Sequence, residues 1–172
     1  MAETPTQDEA APAAPPVPNV YGSDPAAWSR IESYITHRWP ARAVVWHVRG
    51  PGVWVPPLRP VTALTAEIWD GGGWIDATVD AAPLGWEMTL EGPYRVTATV
   101  GDDTDPPADV LEAYRRLSTY SAEAQRAGVS RHSLEVGGVG VETERDPRWL
   151  AKAMQLSGAG DLLRPYRGGA PC

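Results

Sequence analysis

Apolar residues recur at helical spacing in one long stretch, from Asp105 to about Ala127. Asp105 can cap the first free amides, and Pro106 and Pro107 suit a first helical turn, where a missing N–H group costs nothing. The positions expected to face a core are Val110, Ala113, Tyr114, Leu117, Tyr120, Ser121 and Ala124. The pattern predicts an amphipathic helix from about residue 106 to 127.

A shorter helix is predicted from about residue 24 to 38. Asp24 and Pro25 repeat the same start signal, and the apolar stripe that follows contains Trp28, Ile31, Tyr34 and Ile35. Trp39-Pro40 ends this helix, because the residue before a proline is pushed out of the helical conformation.

Between the two helices the pattern changes to the alternation of apolar and polar residues that is typical of strands. The predicted strands cover residues 43–48, 53–55, 61–69, 74–78, 86–91 and 94–100, with turns at Gly50-Pro51-Gly52, Asp70-Gly71-Gly72-Gly73 and Gly92-Pro93. The sequence therefore predicts an α+β fold in which a small antiparallel sheet packs with two main helices.

Both ends of the chain differ from this core, which we place at residues 23–128. Residues 1–22 are rich in Ala and Pro and contain no basic residue, so they are predicted to be disordered or to order only on a partner. Residues 129–172 form a C-terminal extension of predicted strand and helix. Its glycine-spaced run has too little side chain to fix a strand register alone, and it suits pairing with the edge of another chain through Leu134, Val136, Val139 and Val141.

Composition and charge narrow the function classes. The chain of 172 residues has eight Trp, six Tyr and no Phe, so large amphipathic rings lie either at the edges of the core or at interfaces. The net charge of −7 argues against a general nucleic-acid binder. The segment from Arg145 to Arg167 is +3 and the remainder is −10, which indicates either a solvated helix face or a basic recognition tail.

No residue pattern indicates catalysis, a metal site or a cofactor. His37, His47 and His132 lack metal-ligand spacing. The acids Asp102, Asp103 and Asp105 fit a solvated loop better than a calcium site. Cys172 is the single cysteine, so no intrachain disulfide is possible. No stretch has the features of a signal peptide or the length of a membrane span, so we expect a cytoplasmic protein with no membrane partner.

Several segments taken together resemble the head–tail adaptor (connector) proteins of long-tailed bacteriophages and the related gene transfer agents. The resemblance covers about residues 24 to 167, and its most specific part is the ending Leu-Leu-Arg-Pro-Tyr-Arg. The segments that carry it are Trp28–Arg38 with its Arg-Trp-Pro ending, Pro56–Thr62, Trp69–Trp74, Gly92–Gly101, Pro106–Ala108 and Ser157–Arg167.

The resemblance implies a non-enzymatic virion protein, made in the cytoplasm of a bacterial host and located in the phage neck. Members of the family form a ring, usually of twelve subunits, between the capsid portal and the stopper ring of the tail, and the ring lines a channel through which DNA passes without sequence-specific binding. The C-terminal segment of the family docks on the portal. The portal-binding residues implied here are Trp149, Leu150, Met154, Leu162, Leu163, Arg164, Tyr166 and Arg167.

Two other functions compete with this expectation. One is a different neck protein, such as the stopper or a tail-completion protein. The other is a Trp-rich β module that binds a carbohydrate or small ligand, which requires that Trp54, Trp69, Trp74 and Trp86 line one exposed groove.

Overall fold

The structure is a computed structural model that describes residues 2–11, 24–126, 131–136, 139–144 and 152–167. Its elements follow one another as β1 (Glu3–Glu9), α1 (Pro25–Ile35), β2 (Arg42–Trp54), β3 (Val61–Trp69), β4 (Trp74–Ala77), β5 (Asp80–Ala82), β6 (Gly85–Val100), α2 (Ala108–Arg126), β7 (Arg131–Val136), β8 (Val139–Glu144), α3 (Ala153–Leu156), α4 (Ala159–Leu162) and a 3-10 turn (Arg164–Tyr166).

The predicted α+β class is confirmed: β1 to β6 form an antiparallel sheet, β7 and β8 form a separate two-stranded one, and the two main helices precede and follow the run of strands from β2 to β6. Two compact units are present. The sheet unit contains β1 and residues Thr36–Asp105, and the helical unit contains α1 and the elements that follow Pro106. Within the predicted core of residues 23–128, the two main helices thus belong to the helical unit and the strands β2 to β6 to the sheet unit. None of the helices in the described part of the chain is long and apolar enough to cross a membrane.

The sheet has the order β1-β2-β6-β3-β4, and β5 pairs with the first residues of β6. The predicted hairpin turn between β3 and β4 is confirmed, since the Asp70 amide donates to the Gly73 carbonyl oxygen over 3.1 Å. Gly50-Pro51-Gly52 and Gly92-Pro93 were predicted as turns between separate strands. They are instead bends inside the long strands β2 and β6, where Gly50 and Gly92 face each other across the ladder.

The bend brings Trp54, at the end of β2, close to Trp46. Trp46 and Trp54 are eight positions apart, a separation of roughly 26 Å along a straight strand, yet their ring centroids lie 5.2 Å apart. The Tyr94 hydroxyl joins backbone groups beside the bend, because it accepts from the Leu90 amide at 2.8 Å and donates to the Leu90 carbonyl at 3.1 Å. The core of the sheet unit forms around this fold, and Trp46, Met88 and Tyr94 are fully buried.

The helical unit begins as the sequence predicts. The Asp24 carboxylate accepts from the Ala27 amide at 3.0 Å, which is the expected cap of α1. The Tyr114 hydroxyl of α2 accepts from the Asp24 amide at 2.7 Å. Trp28 and Tyr114 are both buried and meet edge to face, with ring centroids 5.7 Å apart. These contacts join the start of α1 to the middle of α2.

The disordered arm predicted for residues 1–22 differs from the structure at its beginning. Residues Glu3–Glu9 form β1, which pairs antiparallel with β2. The Ala10 amide donates to Ala43 at 3.0 Å and the Ala2 amide donates to Val53 at 3.1 Å. Backbone hydrogen bonds along an open sheet edge are available to any extended segment, whatever its hydrophobicity. Residues 12–23 lie outside the described residues.

Gly50→Ala should lower the free energy of unfolding by about 1–3 kcal/mol. Its Cβ would lie 2.7 Å from both the Leu90 carbonyl oxygen and Tyr94 Cε2, inside the bend. Gly73→Ala in the β3–β4 turn is the matched control, because nothing lies within 4 Å of the added Cβ; it should change the free energy by less than about 0.5 kcal/mol. Urea unfolding of both variants measures the two free energies of unfolding. Equal losses of stability in the two variants would contradict the close backbone approach at the bend.

Candidate functional site

The C-terminal segment, which we define as residues 152–167, packs on the helical unit as two short helices and a 3-10 turn. Gly158 separates α3 from α4 with φ of +73°, a left-handed conformation that favours glycine. Ala153, Ala159 and Leu163 are fully buried. Small side chains and one leucine thus hold the segment against the helices.

The eight residues implied for portal binding differ in how far the structure exposes them. Trp149 and Leu150 lie outside the described residues. Leu163 is fully buried and therefore not accessible to a partner in this conformation. The half-buried residues are Met154, Leu162 and Tyr166, and the exposed ones are Arg164 and Arg167. Among the described residues of this set, the exposed ones are thus basic, and partly covered apolar side chains accompany them.

Polar contacts fix the end of this segment. The Tyr166 hydroxyl lies 3.4 Å from Asp109 Oδ2. Burial first, and then the negative charge of Asp109, raise the pKa of Tyr166. The Arg167 guanidinium lies 4.8 Å from the centre of the Tyr34 ring, in cation–π geometry. Arg164 pairs with Asp161 at 3.1 Å, and both side chains are largely exposed. A surface pair of this kind contributes little to stability, so a partner carboxylate can compete for Arg164.

The exposed side of α2 is also charged. Glu112 accepts hydrogen bonds from Arg115 at 2.7 Å and from Arg116 at 2.8 Å. These two bonds lower the pKa of Glu112 to about 2. Glu112, Arg115 and Arg116 thus form a partly exposed charged cluster on α2.

The glycine-spaced run forms a hairpin of two strands, β7 and β8, where the sequence predicted one. Leu134 pairs with Val141, and Val136 pairs with Val139. The four predicted partner-pairing residues thus pair with each other. Among the described residues, neither strand pairs with a third. A two-stranded sheet by itself is marginally stable, so this hairpin suits extension or cover by a partner.

The four tryptophans of the predicted ligand groove divide into two pairs. Trp54 is 1% exposed and lies 6.1 Å from Trp86, beside Trp46 in the core. Trp69 and Trp74 lie 5.5 Å apart on the strands of the β3–β4 hairpin. Trp74 contacts His47 and Arg95, which alternate in sequence with core residues and so point to the other face of the sheet. The four rings therefore do not line one exposed groove.

The acidic loop has a structural role. Asp103 Oδ1 accepts from the Ala41 amide at 2.9 Å, and Asp102 Oδ1 accepts from the Thr104 hydroxyl at 2.8 Å. The pKa of Asp102 is lowered chiefly by this hydroxyl. Within the described residues, no group of three or more His, Cys, Asp or Glu side chains is placed to hold a metal ion.

Acidic residues are concentrated along the chain from β3 to the middle of β6. Residues 60–94 contain six acids and no lysine or arginine, so this part of the chain disfavours phosphate binding. The acids are Glu67, Asp70, Asp76, Asp80, Glu87 and Glu91. Among the described residues, Glu67 is the one of these acids that pairs with a base, through two 2.6 Å hydrogen bonds from Arg95 of β6.

A further site, which the sequence did not reveal, lies where β1 meets β2. The Trp46 indole N–H donates to the Gln7 side-chain oxygen at 2.9 Å. The Trp54 indole N–H donates to the Thr4 hydroxyl at 2.8 Å. Both rings are almost fully buried. The polar strand β1 thus supplies the acceptors that two core indoles need.

The end of β1 adds a charged contact. Glu9 binds Arg38 in a bidentate pair, from Nε at 2.5 Å and from the terminal nitrogen at 3.0 Å. The Arg42 Nε lies 2.9 Å from the same carboxylate. The two arginine side chains are only 7% and 3% exposed. Buried guanidinium groups need such partners, because an uncompensated buried charge is strongly destabilising. We call β2 from Val44 to Val53, together with Trp46, Trp54, Arg38 and Arg42, the strand groove.

Sequence reasoning missed the strand groove for a physical reason. The strand Glu3–Glu9 reads Glu-Thr-Pro-Thr-Gln-Asp-Glu, which has no apolar alternation. Its partners lie between 29 and 50 positions away along the chain. The only local signal is the polar, acidic composition of the segment, with Glu3, Asp8 and Glu9, and that composition is typical of disordered segments as well.

Comparisons of this chain with protein-family models, with curated proteins and with solved structures found no match.

Glu9→Gln should lower the free energy of unfolding by about 1–3 kcal/mol, because two buried guanidinium groups lose a charged partner. Glu3→Gln is the matched control: Glu3 lies on the same strand with an exposed side chain, and this variant should be nearly neutral. Thermal or urea unfolding measures the difference. Equal stability of the two variants would mean that Glu9 does not reach Arg38 and Arg42.

Tyr166 should titrate above its ordinary pKa of 10.0, and Asp109→Asn should move its pKa back toward that value. Asp161→Asn is the control, since Asp161 pairs with Arg164 instead. Because the folded pKa is raised, docking of Tyr166 contributes stability below pH 10 that is lost as the pH rises through the folded pKa. NMR titration of the tyrosine ring carbons reads the shift, and an ordinary Tyr166 pKa would contradict the docked position.

Proposed function

We propose that this chain is a structural subunit of the adaptor ring in the neck of a tailed bacteriophage or a related gene transfer agent. In this role it joins the capsid portal to the stopper or tail-completion protein above it. Copies of the chain line the channel through which DNA passes, and the protein carries out no chemical reaction.

The observation that carries the proposal is the C-terminal segment. Its sequence from Leu162 to Arg167 is the most specific part of the resemblance to adaptor proteins. Arg164 and Arg167 are exposed at the surface of the helical unit, beside the half-buried Leu162 and Tyr166. Arginine with an aromatic neighbour is a combination that protein interfaces favour.

The charge distribution of the sheet unit supports a channel wall. A ring that conducts DNA must not bind its phosphates, and a surface without bases over residues 60–94 meets that requirement. The hairpin of β7 and β8 is consistent with assembly too, because its outer edges pair with no other described strand.

Light scattering of the protein mixed with the portal from the same genome tests the function. We expect a complex whose mass equals the portal plus one ring of this chain. The double variant Arg164→Glu, Arg167→Glu should bind the portal at least about tenfold more weakly, which corresponds to 1.4 kcal/mol.

The matched control for this test reverses two exposed arginines that lie outside both the C-terminal segment and β2, in the double variant Arg59→Glu, Arg115→Glu. It changes the net charge equally and should leave portal binding within about threefold of the unsubstituted chain. A chain that ignores the portal at every concentration would contradict the proposed function. Equal loss in both variants would contradict the role of the C-terminal segment.

A further inference from the structure

The strand groove binds β1 as it would bind a separate peptide. Ala2 is the one apolar residue of the strand region that is buried, and most side chains of β1 are exposed. The attachment therefore depends on the backbone ladder with β2 and on three side chains, Thr4, Gln7 and Glu9. This is the mode of β-augmentation, in which main-chain bonds give affinity and side-chain contacts give specificity.

These contacts define what the groove recognises. An extended segment that fits it needs a hydroxyl facing Trp54, an amide oxygen facing Trp46 and a carboxylate facing Arg38 and Arg42. Thr6 adds a 2.9 Å hydrogen bond to His47 Nδ1. The strand and the groove match at four positions along the strand, which makes the groove selective for this acidic sequence.

The same strand can reach beyond its own chain. Residues 12–23 connect it to α1, and they number 12, of which four are proline. A connection of this length spans up to about 40 Å when extended. That distance exceeds the width of a small domain, so the groove of an adjacent copy lies within reach. The described contacts of β1 would be the same in that copy, since its partners in the strand groove and His47 all follow α1 in the chain.

We propose that in the assembled ring residues 2–10 of each copy occupy the strand groove of the neighbouring copy. This inference rests on the proposed ring function and names the contact between its subunits. Exchange of an identical element costs little, because the same hydrogen bonds are broken and reformed. Around a ring, each copy gives one strand and receives one, so the indole N–H groups of Trp46 and Trp54 keep their acceptors, and Arg38 and Arg42 keep the Glu9 carboxylate.

Cross-linking between two differently substituted full-length chains tests the exchange. One chain carries Thr6→Cys and the other His47→Cys, two positions that are Cα partners across β1 and β2. Both chains also carry Cys172→Ser, which removes the native thiol. After the two chains are mixed, assembled on the portal and treated with a short thiol cross-linker, a covalent dimer forms only if a strand lies in another copy's groove.

The matched control uses Thr65→Cys in one chain and Thr97→Cys in the other, which are Cα partners between the interior strands β3 and β6. We expect at least about tenfold more dimer from the first mixture than from this control, because the ring holds each strand next to its acceptor at high effective concentration. Adding Glu9→Gln to the Thr6→Cys chain should reduce the dimer, whereas Glu3→Gln should not.

The outcomes separate the two proposals. A ring of the expected mass on the portal with dimer only at the level of the control overturns strand exchange and leaves the adaptor function standing. Failure to form any ring on the portal overturns the adaptor function, and strand exchange with it. Dimer that is insensitive to Glu9→Gln would overturn recognition through Arg38 and Arg42.

Discussion

The need of two buried indoles for hydrogen-bond acceptors shapes the sheet unit. Trp46 and Trp54 meet because β2 bends at Gly50, and burial of both rings takes their N–H groups away from water. An unpaired buried N–H group costs about 1–3 kcal/mol. Gln7 and Thr4 of β1 meet this need, and the Glu9 carboxylate forms ion pairs with the buried guanidinium groups of Arg38 and Arg42. A polar strand with almost no hydrophobic side chains is therefore part of the core's chemistry.

Local signals predicted much of the fold but not the bend or the first strand. Alternation and the Asp-Gly-Gly-Gly turn identified β3 and β4 correctly, because both signals lie within a few residues of the structure they specify. Gly50-Pro51-Gly52 has the sequence of a turn, and only the pairing with β6 decides that it is a bend. The reason for β1 lies up to 50 positions away, where no local pattern reports it.

The sequence predicted which residue types the candidate site contains, but it did not predict where those residues lie in the fold. The combination of leucines, arginines and tyrosine near the C-terminus indicated a recognition segment. A sequence pattern does not distinguish docking on the same chain from docking on a partner, since both need apolar anchors. Here Leu163 is buried within its own helical unit, whereas Arg164 and Arg167 remain exposed. Among the residues implied for portal binding, the arginines, more than the two leucines described, are thus the groups that this conformation offers to a portal.

The adaptor account joins three properties: an acidic sheet unit, an exposed basic C-terminal segment and a polar strand held in a groove. Electron cryo-microscopy of this chain mixed with the portal from the same genome tests that account most directly. It predicts a closed ring of copies seated on the portal, with residues 152–167 at the contact and an unobstructed central channel. Portal particles without this ring, or a ring that contacts the portal through residues 60–94, would contradict it.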